Sequence, residues 1–279
     1  IPMPTAIEWA TETWNPITGC SPVSEGCANC YARRMANRLR GRYGYPADDP
    51  FRVTLHEDKL ALPLRWKKPR IIFVCSMGDL FHEDVRFSWI AKIFKIMHDC
   101  PQHTFILLTK RPGRLSDFAH DNPQIGLYNH PNIWPGTTIE NDRRLDWRLG
   151  RLLNLETVGK RVISVEPMLG SVNLNVVPCW QCNSPNPQIR WPCPACKGRR
   201  FAWPDWVICG AETGPGARLM NLDWARDLRD QCVTAGVPFF FKRDSNGSRL
   251  LDGREWNEMP GGVSWYKKQI AERDDAERE

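Results

Sequence analysis

Along the chain, short apolar stretches rich in β-branched and aromatic residues alternate with longer segments whose apolar residues recur at helical spacing. The short stretches are "WNPITGC" (14–20), "RIIFVCS" (70–76), "TFILLTK" (104–110), "NIWPGTTI" (132–139), "RVISVEP" (161–167), "WVICGAE" (206–212) and "PFFFKR" (238–243). Runs this brief and continuous suit strands buried on both faces, as in a parallel sheet covered by helices. Helices are predicted in "ANCYARRMANRLRGRY", "RFSWIAKIFKIMHDC", "GRLSDFAHD", "NDRRLDWRLGRLLNL" and "LDWARDLRDQCVTAG", with Asn141 and Asn221 as N-caps and Gly236 as a stop. The alternation predicts an α/β fold, a partial (β/α)6 TIM-like barrel rather than an open doubly wound sheet. No glycine-rich dinucleotide or P-loop fingerprint follows any strand, which counts against the open-sheet nucleotide binders.

The rhythm divides the chain. Residues 1–170 and 205–265 carry the barrel. The stretch 171–204, rich in Pro, Asn and Trp, is a small four-cysteine metal-binding insert of zinc-ribbon type, and 266–279 is a charged tail. At the C-terminal end of each apolar run the chain turns polar or small: "CSMGD", "LTKRP", "TTIEN", "SVEP", "GAETGPGAR", "FKRDSNG". That end of a parallel α/β barrel is where sites are built. Helix capping accounts for many of the carboxylates there. It does not account for Lys110, for Glu166 before Pro167, or for Lys242, whereas one convergent pocket does.

Composition narrows the class. No apolar run approaches the roughly 18 residues of a membrane helix, and the opening "IPMPTAIEWATETW" has neither a basic start nor an apolar signal core. A cytoplasmic protein without a membrane partner is expected. The net charge of +6 is compatible with a polyanionic partner and equally with ordinary solubility. The thirteen tryptophans are expected to pack in the core or plug the barrel's ends, with a few left to stack on bases.

The eleven cysteines change the picture. An odd number in tight groups argues against a secreted disulfide scaffold. Cys75, Cys100, Cys209 and Cys232 sit in apolar or helical surroundings and read as small buried residues. Cys179, Cys182, Cys193 and Cys196 form C-x2-C-x10-C-x2-C followed by "KGRR". Four thiolates on two tight turns satisfy a tetrahedral ion, so a structural Zn2+ is expected, with a second Fe–S cluster as the alternative. Cys20, Cys27 and Cys30, in "TGCSPVSEGCANCYARRMANRL" (18–39), have the spacing C-x6-C-x2-C and no fourth cysteine nearby. Three thiolates suit a cubane with one iron open to a small molecule, or a zinc ion with an open position.

Three clustered cysteines after the first strand of such a barrel resemble the radical S-adenosylmethionine superfamily. More narrowly, "WNPITGCSPVSEGCANCYA", "FVCSMGDLFH", "LLTKRP", "TTIEN", "SVEPMLG" and "WVICGAETGPGARLM", in that order, are similar to a phage and bacterial three-cysteine-motif family (DUF5131) regarded as radical-SAM-like. The superfamily's usual spacing is C-x3-C-x2-C. Here the first gap holds six residues, and Tyr31 follows the third cysteine where an aromatic residue usually precedes it.

The resemblance implies a barrel of the radical SAM type. It implies that Cys20, Cys27 and Cys30 hold a [4Fe–4S] cluster, that S-adenosyl-L-methionine binds its open iron, and that a flavodoxin or ferredoxin donates the electron. It puts Ser76, Gly78 and Asp79 at the methionine amine, Glu140 and Asn141 at the ribose, and Lys110 at a carboxylate or an anionic substrate. Glu166 and Glu212 become candidates for contacts at the reacting centre, and Gly210 and Arg218 for a close-approach loop and an anion contact. It further implies DNA or a modified nucleotide as substrate, with an isomerase remodelling a hypermodified thymine as the concrete form. Two other classes compete: a zinc-dependent hydrolase, for which no H-E-x-x-H arrangement is present, and a non-catalytic zinc-containing nucleic-acid-binding protein.

Overall fold

The computed structural model describes residues 5, 7–125, 127–175 and 202–262. The second cysteine group and the charged tail lie outside the described residues. Seven strands form one sheet: β1 (Glu12–Trp14), β2 (Ile71–Val74), β3 (Thr104–Thr109), β4 (Ile133–Thr138), β5 (Val162–Val165), β6 (Trp206–Cys209) and β7 (Phe239–Phe241). They lie in chain order and every neighbouring pair is parallel. The sheet curls into a half-barrel, so the ends of first and last strands look onto one cavity. The coarse expectation of an α/β half-barrel is what the chain forms, with seven strands where six repeats were expected.

Helices α1 (Tyr31–Arg38), α2 (Phe87–His98), α3 (Pro112–Asp121), α4 (Asp142–Leu153) and α5 (Leu222–Ala235) connect the strands. Asn141 and Asn221 cap α4 and α5 by accepting from the backbone N–H groups of Arg143 and Asp223, and α5 stops at Gly236 in the left-handed region.

The first predicted run is corrected. Only Trp14 of 14–20 belongs to the sheet, whereas Ile17–Thr18 pairs antiparallel with Thr54–Leu55. Pro16 is the reason: it cannot donate to a ladder, and its carbonyl accepts from His56 N–H instead.

Alternation along the strands sorts two cores. Ile72, Val74, Phe105, Leu107, Ile163, Val165, Val207 and Phe239 face the helices. Ile71, Ile106, Trp134, Val162, Trp206 and Phe240 fill the concave side together with Trp9. The Trp206 ring meets Trp9 at 6.0 Å and Trp134 at 6.3 Å, nearly edge-on, which plugs the N-terminal end of the strands as expected. Cys75, Cys100, Cys209 and Cys232 are buried, as their surroundings predicted.

Candidate functional site

Above the tryptophan plug, at the C-terminal ends of the strands, the concave side opens into a cavity of about 290 Å³. The segment from Gly19 to Tyr31 lies across it. Cys20 follows the short strand Ile17–Thr18, Cys27 closes a single 3-10 turn (Glu25–Cys27), and Cys30 is the N-cap of α1. All three sulfur-bearing residues line the cavity. The strand-to-helix linker reaches this position through two glycines. Gly19 and Gly78 bridge each other, and a Cβ on Gly78 would stand 2.7 Å from the Gly19 carbonyl oxygen. Gly19 itself has φ +90°, and a Cβ there would stand 2.2 Å from the Arg52 carbonyl oxygen.

Charged side chains from three strand ends, several of them buried, then grip the linker. After β3, Arg111 is 5% exposed. It donates to Cys20 Sγ at 3.4 Å, to the Ser21 carbonyl at 3.2 Å, to Ser21 Oγ at 3.1 Å, to Asp79 at 3.2 Å and to Glu83 at 2.9 Å. After β4, Glu140 is fully buried. It accepts from Ser24 Oγ at 2.6 Å and from Arg148 at 2.8 Å, with Lys110 Nζ 3.7 Å away. Asn141 donates to Glu25 at 2.7 Å, and Arg144 pairs with the same carboxylate at 2.9 Å. After β6, Glu212 accepts from Asn29 at 3.0 Å and is paired with Arg218, whose guanidinium also donates to the Glu25 carbonyl at 3.0 Å. Asn29 donates to the Gly216 carbonyl as well.

These bonds set the local acidities. Hydrogen bonds from its own backbone, Asn141 and Arg144 hold Glu25 down at about 2. Arg218 does the same for Glu212, which also falls to about 2. Burial, reinforced by Asp79, pushes the Cys20 thiol up to about 12. Burial also opposes ionisation of Cys27, but the Val23 and Ser24 backbone and the Lys110 charge outweigh it and hold that thiol below its ordinary value.

The opposite wall is built differently. Lys242, just after β7, pairs with Glu166 at 2.7 Å and with Glu8 at 3.9 Å, and Glu8 also meets Arg243. Glu8 precedes β1, so this pairing ties the first strand's approach to the last strand's exit. Ser164, Glu166 and Lys242 line the cavity from this side.

Of the residues singled out in the sequence, Cys20, Cys27, Cys30, Tyr31, Ser76, Gly78, Asp79, Lys110, Glu166 and Glu212 come together around the cavity. Asp79 is saturated, accepting from Thr109 Oγ1, Phe81 N–H, Lys110 N–H and Arg111. Ser76 Oγ donates to Asn15. Glu140, Asn141, Gly210 and Arg218 stand behind the lining; three of them hold the cysteine linker, and Gly210 packs beside Glu166 and Lys242. Cys179, Cys182, Cys193 and Cys196 lie outside the described residues. Arg111 and Asn29 are the functional residues that sequence reasoning missed. A signal for Arg111 exists: it is the N-cap of α3, ahead of Pro112 at N1. A cation there opposes the helix dipole and caps nothing, so something else must hold it.

Over residues 4–260 the chain matches the family described as "Protein of unknown function (DUF5131)". The chain belongs to that family. No curated protein and no solved structure matches it significantly. The family match covers the barrel strands and the three-cysteine linker alike, since both fall within 4–260.

The donor set bears on what the linker holds. Among the described residues, no three His, Cys, Asp or Glu side chains converge on a point where one metal ion would sit. One zinc ion draws its sulfurs to about 2.3 Å. An iron–sulfur cube takes one thiolate at each of several separate corners. Cys20, Cys27 and Cys30 bring three thiols from one linker to the cavity, with Cys75 also in its lining, and thiols are donors that an iron–sulfur cube and a zinc ion both take.

Proposed function

We propose that this protein is a radical SAM enzyme in which Cys20, Cys27 and Cys30 carry a [4Fe–4S] cluster and S-adenosyl-L-methionine occupies the adjoining cavity. The observation that carries the reading is the mounting of three thiols, by buried charges from several strand ends, over a cavity at the C-terminal face of a parallel half-barrel. When bound, the cofactor pair supplies hydrogen-atom abstraction, started by one electron from a flavodoxin- or ferredoxin-type donor.

The chain's own residues bind, orient and exclude water. The tryptophan plug and Ile7 close the cavity floor. Lys110, with its amine 3.7 Å from Glu140, presents a cation for a carboxylate. The Glu166–Lys242 pair offers both charges to a polar substrate from the far wall. The insert's C-x2-C-x10-C-x2-C holds a structural zinc ion in this reading.

The substrate in this reading is a modified base in DNA, with isomerisation as the reaction type. Support comes from α1 and the turn after it. Arg33, Arg34, Arg38, Arg40 and Arg42 fall within ten residues, and among the described residues none pairs with a carboxylate. Tyr31, at the cavity rim, and Tyr43 are exposed. Uncompensated guanidiniums beside exposed rings suit phosphates and bases.

Anaerobic reconstitution tests the reading. The wild type is expected to take up iron and sulfide, to show a blue-violet absorbance that dithionite bleaches, and to release 5′-deoxyadenosine from S-adenosyl-L-methionine. Cys27→Ala loses all three properties. Uptake of zinc alone at the linker overturns the reading. For the substrate, affinity for single-stranded DNA is expected to fall with salt and to drop about tenfold in R38E/R42E; affinity insensitive to salt removes the DNA part.

A further inference from the structure

We infer that Arg111 is the positioning residue of the three-cysteine site: its guanidinium fixes Cys20 and, lying against the sulfur, makes the site easier to reduce. The inference rests on the proposed [4Fe–4S] cluster and adds to it the residue that sets its redox behaviour.

A guanidinium has five N–H donors, and in Arg111 every one is used. Nε reaches Glu83, one Nη reaches Asp79 and Cys20 Sγ, and the other reaches the carbonyl and hydroxyl of Ser21. Three of the five go to the cysteine linker, so the side chain acts as a bracket between the strand ends and Cys20–Ser21. Ser21 Oγ is held from a second direction by His82 Nε2 at 2.7 Å. His82 Nδ1 accepts from Asp84 N–H at 3.1 Å, so Nε2 carries the proton and donates to the serine. The neighbouring Lys110 lines the same cavity and acts on Cys27 through its charge, but its amine pairs with Glu140 and makes no hydrogen bond to a linker sulfur. Arg111 is thus the one cation among the described residues that contacts a linker sulfur.

The position matters because of what surrounds it. Asp79 is 5% exposed and lies 3.2 Å from the guanidinium. Without Arg111, a buried carboxylate would face the cluster uncompensated. Net charge and hydrogen bonds to sulfur are among the factors that set an iron–sulfur potential. Adding an electron makes the site more negative, so a nearby cation and an N–H···S bond both favour the reduced form. Loss of Arg111 therefore lowers the potential. Loss of Glu83, which draws the same guanidinium outward, raises it.

The test is a reductive titration with dithionite and mediators, following cluster absorbance in anaerobically reconstituted wild type, R111Q, R111K and E83Q. In R111Q the equilibrium constant for accepting one electron is expected to fall at least tenfold, a midpoint about 59 mV lower. R111K keeps the charge without the fork and recovers more than half of that shift. E83Q moves the midpoint the opposite way by less than tenfold, because the Glu83 side chain is 63% exposed. A merely structural role would leave all four midpoints together. R111Q at the wild-type potential, or R111K no better than R111Q, overturns the inference. Should R111Q hold no iron, R111K and E83Q decide it: displacement in opposite directions supports the inference, and coincidence with wild type overturns it. A wild type that takes up no cluster overturns the proposed function itself, and this inference with it.

Discussion

The two walls of the cavity use charge in opposite ways. On one, Arg111, Glu140, Glu212 and Arg218 commit their polar atoms to the cysteine linker and to each other. On the other, Glu166 and Lys242 pair directly with each other at the cavity wall, and their hydrogen bonds go to no part of the linker. The first arrangement is a mounting, costly to break because Arg111, Glu140 and Glu212 are buried. Under the proposed function, the second keeps both signs of charge ready for exchange with a bound molecule. Similar residue types at similar strand ends thus differ in what they hold, and their partners tell them apart.

Four substitutions sharpen or break that contrast. The largest effect is expected from Glu140→Ala on the mounting wall. Buried Arg148 is left without its carboxylate and Ser24 without its acceptor, costing about 3–5 kcal/mol in urea unfolding; a loss below about 1 kcal/mol would mean the wall is not a mounting. Gly19→Ala comes next. Its Cβ would collide with the Arg52 carbonyl in a backbone conformation that alanine disfavours, a loss of about 2–4 kcal/mol by the same measurement.

The third is read against pH. The folded pKa of Glu212, about 2, lies below the ordinary carboxylate value of about 4.3. Its stabilisation is therefore complete above the ordinary value and is lost as pH falls toward 2. In Arg218→Met that dependence is expected to flatten by up to ~1 kcal/mol per pH unit near pH 3. An unchanged slope there would show that the Arg218 pairing does not hold the carboxylate down.

Smallest in stability is Glu166→Gln on the open wall. Lys242 keeps Glu8, and the change is expected to stay within about 1 kcal/mol. Under the proposed function, product formation falls by about 10²-fold while iron content stays at the wild-type level. Equal losses of stability from Glu166→Gln and Glu140→Ala would erase the distinction between the walls.

Much of this architecture was legible in the chain. Strands announced themselves as continuous apolar runs because both sheet faces are covered, and helix ends were marked by Asn141, Asn221 and Gly236. The crowding of three cysteines and the polar strand ends located the cavity. The holders of the linker were not legible. Arg111 touches Cys20 across 91 positions, Glu140 meets Ser24 across 116, and Asn29 meets Glu212 across 183. No local pattern encodes contacts that only a curled sheet creates. For the same reason Glu140 and Asn141 read as cavity residues, although their side chains turn back onto the linker. The first strand was misplaced because Ile17 and Thr18 carry strand-like side chains, while Pro16 ends the pairing that would have used them.

The linker's place between the first two strands has a consequence for the order of events in synthesis. The thiols leave the ribosome well before their holders, which arrive only with residues 111, 140 and 212–218. A half-made chain therefore exposes three unfixed sulfurs with nothing to set their spacing. Under the proposed function, loading before the sixth strand has docked would meet a floppy chelator, open to whichever metal comes first, and selectivity would be acquired only at the end of folding.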